Sequence, residues 1–160
     1  MANSEDFAET EWAAICDAAH GAGLAMMLVG NSGLVGSMRE MLVAGRTSAA
    51  GAEHASELIR GLCTATAMGA MRARVAAVWQ VGVDPRLALQ EAVIGWLREA
   101  VAALRAKAPE DLETYREWVL GFADSVAHAG SEGSFLGIGE EKVSAEEARF
   151  LASVREALAG

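Results

Sequence analysis

Three histidines in this chain each stand about one helical turn from a carboxylate. Asp17 and His20 are three residues apart, His54 and Glu57 are three apart, and Asp124 and His128 are four apart. On a helix both spacings bring the two side chains to one face, where they could ligate a metal or move a proton. A carboxylate-bridged di-metal centre in a bundle normally takes two Glu-x-x-His motifs and two further glutamates. The sequence has no Glu-x-x-His, and Asp17-x-x-His20 is the nearest approach. With 22 acidic residues in the chain, an acid beside each histidine follows from composition alone. A di-metal bundle therefore stands as a further alternative, not as the first reading.

Cys16 lies one turn before His20, the spacing of a thiol–imidazole nucleophile. Such a nucleophile needs an exposed thiolate in electropositive surroundings. Cys16 instead sits among Trp12, Ala14 and Ile15, with Asp17 next to it. A neighbouring negative charge raises a thiol's pKa, so the expectation is a packed cysteine. The sequence has no G-x-S-x-G elbow, P-loop, dinucleotide fingerprint or C-x-x-C. No catalytic residue is assigned.

The stretch GSEGSFLGIGEEKVSAEE, residues 130–147, sets Phe135, Leu136 and Ile138 among four glycines. It lacks the Gly-Lys-Ser/Thr ending of a phosphate-binding loop and the alternating acids of an EF-hand. The glycines allow the backbone to reverse, which would point the three apolar side chains into a hydrophobic groove. A packed connection is the preferred reading. Where the groove is not filled internally, Phe135, Leu136 and Ile138 become the candidate partner- or ligand-binding residues.

The elements around these residues read as helix throughout. Apolar residues make up 52% of the 160, aromatics only 6%, and only two prolines occur. That composition favours long helices and leaves few strand formers. A first helix is expected from Glu11 to Val29, capped by Ser4 or Thr10, and GNSG at 30–33 ends it. A second carries Leu34, Met38, Met41 and Leu42 and fades in AGRTSAAG. A third is expected from Ala52 to Trp79, with Gly61, Ala65 and Gly69 spaced to let a neighbouring helix come close. Asp84 followed by Pro85 is a strong start for a fourth, whose Leu89, Val93, Leu97, Val101 and Leu104 form one apolar stripe. A fifth is expected over Glu110–Ala129, and Ser144 with Glu147 forms a capping box for a sixth bearing Phe150, Leu151, Val154 and Leu158. The expectation is an all-α single domain, residues 1–160, built as a bundle of about six helices.

The formal charge is −9, with no run of Lys or Arg, which argues against nucleic acid and anionic lipid as partners. Between Ala18 and Met38 there is no charged residue at all. His20, Asn31, the serines and the glycines within it make a buried core helix the expectation, not a signal peptide or a membrane span. Cys16 and Cys63 are expected to be reduced thiols in a cytoplasmic protein.

Across YREWVLGFADSVAHAGSEG and KVSAEEARFLASVREALAG, within residues 115–160, the chain resembles the TerB-like helical fold of tellurite-resistance proteins. Val143, Ser144, Glu146 and Glu147 match that family's helix start, and Glu132-Gly133 stands where it carries Asp-Gly. SFLGIGEEK is inserted between the two halves, and residues 1–114 hold no clear second copy of the motif. The resemblance implies an all-α domain and, as an alternative function, a metal-binding stress protein with a divalent ion held through Glu132 and Glu146.

The first functional expectation is different: a non-enzymatic interaction or assembly module without a cofactor, forming a homo-oligomer and open to a protein partner. It rests on a mean hydropathy of +0.23 in a 16.7 kDa domain, with the first and third helices so poor in charge that they should be buried on nearly all sides. An apolar ligand between those helices, lined by Met26, Met27, Met68 and Met71, is a further possibility.

Overall fold

The computed structural model of the chain describes residues 2–29, 33–80, 84–131 and 143–160, with side chains omitted for 33–38 and 130–131. Among the described residues the architecture is all-α, without a strand. A short 3-10 turn, Ser4–Asp6, precedes α1 (Glu9–Val29), α2 (Gly33–Ala52), α3 (Glu57–Leu62), α4 (Ala65–Trp79), α5 (Pro85–Lys107), α6 (Leu112–Ser131) and α7 (Ala145–Ala159).

α1 is the central post. It packs against α5 most extensively, then against α6 and α4, while α2 lies on α6 and α7 closes over α5, α6 and α1. Residues from Ala14 to Gly23 are buried without a break. Small side chains let neighbouring helices close in from all sides, and α1 is rich in alanine and glycine. A Cβ at Gly21 would come 2.9 Å from Val93 of α5, and one at Gly23 would come 2.7 Å from the Phe122 ring of α6. These two glycines let α5 and α6 approach α1 closely. Glu9–Val29 is long and apolar enough to cross a membrane by length and composition, yet 72% of its most apolar window is buried inside the bundle. This is the character of a core helix.

The helix signals read from the sequence are realised at α5 and α7. Asp84 Oδ1 accepts from the backbone N–H of Arg86 and Leu87, with Pro85 as the first helical residue. Leu89, Val93, Leu97, Val101 and Leu104 are all buried. Ser144 and Glu147 exchange their capping hydrogen bonds, and Phe150, Leu151, Val154 and Leu158 are buried.

Elsewhere the fold departs from expectation. The expected third helix is two, because Thr64 takes an extended backbone and its hydroxyl caps α4 through the N–H of Ala67. Neither Ser4 nor Thr10 caps α1. Glu11 reaches back to the N–H of Ala8 at 2.7 Å and caps the end from inside the helix. α2 continues through AGRTSAAG to Ala52. α1 is enclosed as expected, but α4 is not: it buries only Ala67 and Met71 and lies along the outside of α1 and α5. Gly61 does give close packing, against the Trp12 ring, whereas Gly69 has open space beside it. Met26 and Met71 are buried, and Met27 and Met68 are half-buried.

Candidate functional site

The chemistry-bearing residues singled out on α1 lie inside the bundle, and each has a partner other than the one its spacing suggests. His20 is buried, and its Nε2 lies 3.0 Å from the carbonyl oxygen of Leu62 at the end of α3. A carbonyl only accepts, so Nε2 carries the proton and donates. Burial lowers the imidazole pKa, which keeps the ring neutral. Trp118 and Phe122 of α6 meet the ring edge-on at 5.6 and 6.1 Å. His20 thus ties α1 to the end of α3 and satisfies a carbonyl that the helix leaves open.

Asp17 pairs with an arginine from another helix. Its side chain is 1% exposed, and Arg74 of α4 places Nη1 2.5 Å from Oδ2. Neither Asp17 oxygen accepts a well-directed hydrogen bond. Burial raises the Asp17 pKa, and the Arg74 guanidinium pulls it partly back. No spacing rule predicts this pair, since 57 positions separate its members in the chain.

Cys16 is buried beside Asp17, and its thiol is pushed up to about 12 by burial first and by the Asp17 charge second. Cys63 is raised to about 11 by burial. A Cβ on Gly51 of α2 would fall onto the Cys63 sulfur. Both cysteines are free thiols. At neutral pH neither supplies the thiolate that nucleophilic chemistry needs. The Tyr115 hydroxyl donates to the Ile15 carbonyl at 2.9 Å, joining α6 to α1. His20, Asp17 and Tyr115 act as a set of inter-helix ties.

The other two histidines are elsewhere. His54 Nδ1 accepts from the Ser56 N–H at 3.0 Å, in the turn before α3. His128, on the outer side of α6, keeps the expected proximity to Asp124, at 3.3 Å from Oδ2 and 2.8 Å from the backbone oxygen. Among the described residues no group of three or more His, Cys, Asp or Glu side chains is placed to hold a metal ion.

Of the residues assigned to binding, Phe135, Leu136, Ile138 and Glu132 lie outside the described residues. Glu146 is exposed on the first turn of α7. It lines a cleft of about 480 Å³ together with Asp84, Arg86, Leu87, Arg149 and Phe150. Two guanidiniums in the same cleft offset the two carboxylates.

A second groove, of about 520 Å³, runs between α2 and α6. Arg39, Leu42 and Arg46 of α2 face Ser125 and His128 of α6 across it. Leu42 and the adjoining Met41 are each 62% exposed. Neither Arg39 nor Arg46 forms an ion pair with a described residue. Sequence reading placed Met41 and Leu42 on a helix but gave no sign of their exposure. The face of α2 turned inward carries Glu40 and Gly51, which hydropathy does not mark as core. Compared with known proteins, the chain matches no family model, no curated protein and no solved structure.

Proposed function

We propose that this chain is a non-enzymatic helical assembly module that associates with copies of itself. The observation that carries the reading is the set of large apolar side chains left in water. Met41 and Leu42 on α2, Leu87 on α5 and Trp79 on α4 are 62, 62, 56 and 42% exposed. Single exposed apolar residues are ordinary, but a Met-Leu pair beside a groove is the kind of surface that partners cover.

The chemistry in the interior supports the non-enzymatic half. A neutral imidazole bound to a backbone carbonyl and a thiol raised to about 12 suit structural ties better than proton transfer or nucleophilic attack. The net charge of −9 turns the module away from nucleic acid and anionic lipid. Two free thiols fit a reducing compartment, and we place the protein in the cytoplasm on that ground.

Light scattering on a sizing column tests the proposal. The expected mass exceeds 16.7 kDa and climbs with the concentration loaded. A mass fixed at 16.7 kDa at every loading contradicts it.

A further inference from the structure

Two exposed leucines on different helices carry matching flanks of opposite charge. On α2, Leu42 has Arg39 three residues before it and Arg46 four residues after it. On α5, Leu87 has Asp84 three residues before it and Glu91 four residues after it. All six residues are exposed. The spacing i−3, i, i+4 puts the α2 trio on one stripe of its helix, and it puts Leu87 and Glu91 on one stripe of α5 with Asp84 at its N-cap.

None of the four charged groups is ion-paired among the described residues, although Arg86 and Arg149 share the cleft that Asp84 and Leu87 line. Asp84 uses Oδ1 for both capping bonds, and Oδ2 has no hydrogen bond to a described residue. Glu40, beside Arg39, is buried on the inner face of α2, and Asp124 across the groove is engaged with His128. Arg86, next to Leu87, lies about 100° round the helix from it.

We infer that the α2 stripe of one copy docks on the α5 stripe of another, leucine against leucine with an arginine meeting an acid at each end. The inference rests on the self-association reading and specifies its contact. Charge complementarity selects the occupant. Two α2 stripes laid together would gather four arginines with no acid among the six side chains, and two α5 stripes would gather four carboxylates. Among these six side chains only the unlike pair is balanced, and it is balanced with the helices parallel or antiparallel. α2 packs on α6, α3 and α1, while α5 packs on α1, α7 and α4, so one copy presents the two stripes from different parts of its bundle. A contact between unlike faces leaves one of each unused and propagates into a ring or a filament.

Complementary single-face variants test this. Leu42→Asp destroys the α2 stripe and keeps the α5 stripe, and Leu87→Asp does the reverse. Both positions are exposed, so both variants should keep the wild-type helical circular dichroism and melting behaviour, which is checked first. Each alone should associate about tenfold or more weakly than wild type, the size of one interface hot spot. Mixed in equal amounts, they should form a complex that stops at two chains, twice 16.7 kDa in sedimentation velocity, because one competent face of each kind remains. Salt of about 1 M, where the screening length falls to about 3 Å, should dissociate it.

If wild type associates but either variant alone does so as strongly, the stripe pairing is wrong and self-association stands on another surface. Loss of association in Leu42→Asp with none in Leu87→Asp would point to a like-face contact through α2 and overturn the inference. Two monomeric variants that stay monomeric when mixed also overturn it. A monomeric wild type removes the inference and the self-association reading together.

Discussion

Removing Arg74 should cost far more than removing its partner, although the two form one ion pair. Asp17 is 1% exposed, so the Arg74→Met variant leaves a carboxylate with no counter-ion and no hydrogen bond in a dry site, while methionine retains most of the apolar stem. Breaking a buried pair in this way costs about 3 kcal/mol. Asp17→Asn leaves behind an arginine whose side chain is already 42% exposed and can turn to water, so its expected effect is within about 1 kcal/mol of zero. In a domain of this size, about 3 kcal/mol lowers the midpoint of thermal unfolding by about 6–12 °C.

The pH dependence separates this account from simple packing loss. Burial raises the Asp17 pKa in the folded state and Arg74 lowers it, so without Arg74 it rises further. A folded carboxyl with a raised pKa holds its proton more tightly than the unfolded chain does. Its penalty is therefore full at neutral pH and is relieved as pH falls through the folded pKa toward the ordinary 3.8. Urea unfolding of wild type and both variants at neutral and mildly acidic pH measures the difference directly. The Arg74→Met deficit should shrink as pH falls. Equal losses in the two variants, or a deficit that ignores pH, would refute the reasoning.

Three further outcomes follow from the same packing. Gly23→Ala should lower stability by about 1–3 kcal/mol in thermal unfolding, because its Cβ would come 2.7 Å from the Phe122 ring, whereas Gly45→Ala, with nothing within 4 Å, should raise it by about 0.5–1 kcal/mol. Ser144→Ala should cost about 1 kcal/mol by the same assay, through loss of the α7 capping box. A disulfide thiol reagent at about pH 8 should react slowly with both cysteines in the folded protein and rapidly once urea is added, since their thiols are raised to about 12 and about 11.

How much of this could be read from residues alone depends on which interactions are local. The Asp84–Pro85 start of α5, its apolar stripe and the Ser144–Glu147 box are set by residues within one or two turns, and their spacing announces them. The division of the expected third helix at Thr64 was hidden, because GLCTATAM is a run of helix-compatible residues and the cap is a single hydroxyl. The burial of α1 was legible in its lack of charge. The exposure of α4 was not, since small side chains suit a core and a surface equally well. Long-range pairings such as Asp17 with Arg74, His20 with the Leu62 carbonyl and Tyr115 with the Ile15 carbonyl leave no trace in local spacing. The matching of Arg39-Leu42-Arg46 with Asp84-Leu87-Glu91 was present in the letters, but only the observed exposure of both stripes gives it meaning.

The most direct test of the account is chemical cross-linking between unlike faces. Chains carrying Leu42→Cys are mixed with chains carrying Leu87→Cys, oxidised gently, and the joined peptides are identified by mass spectrometry. The account predicts a covalent link between positions 42 and 87 of different chains, at a yield well above that of any 42–42 or 87–87 link. A mixture dominated by like-with-like links, or one with no link at either position, would contradict it.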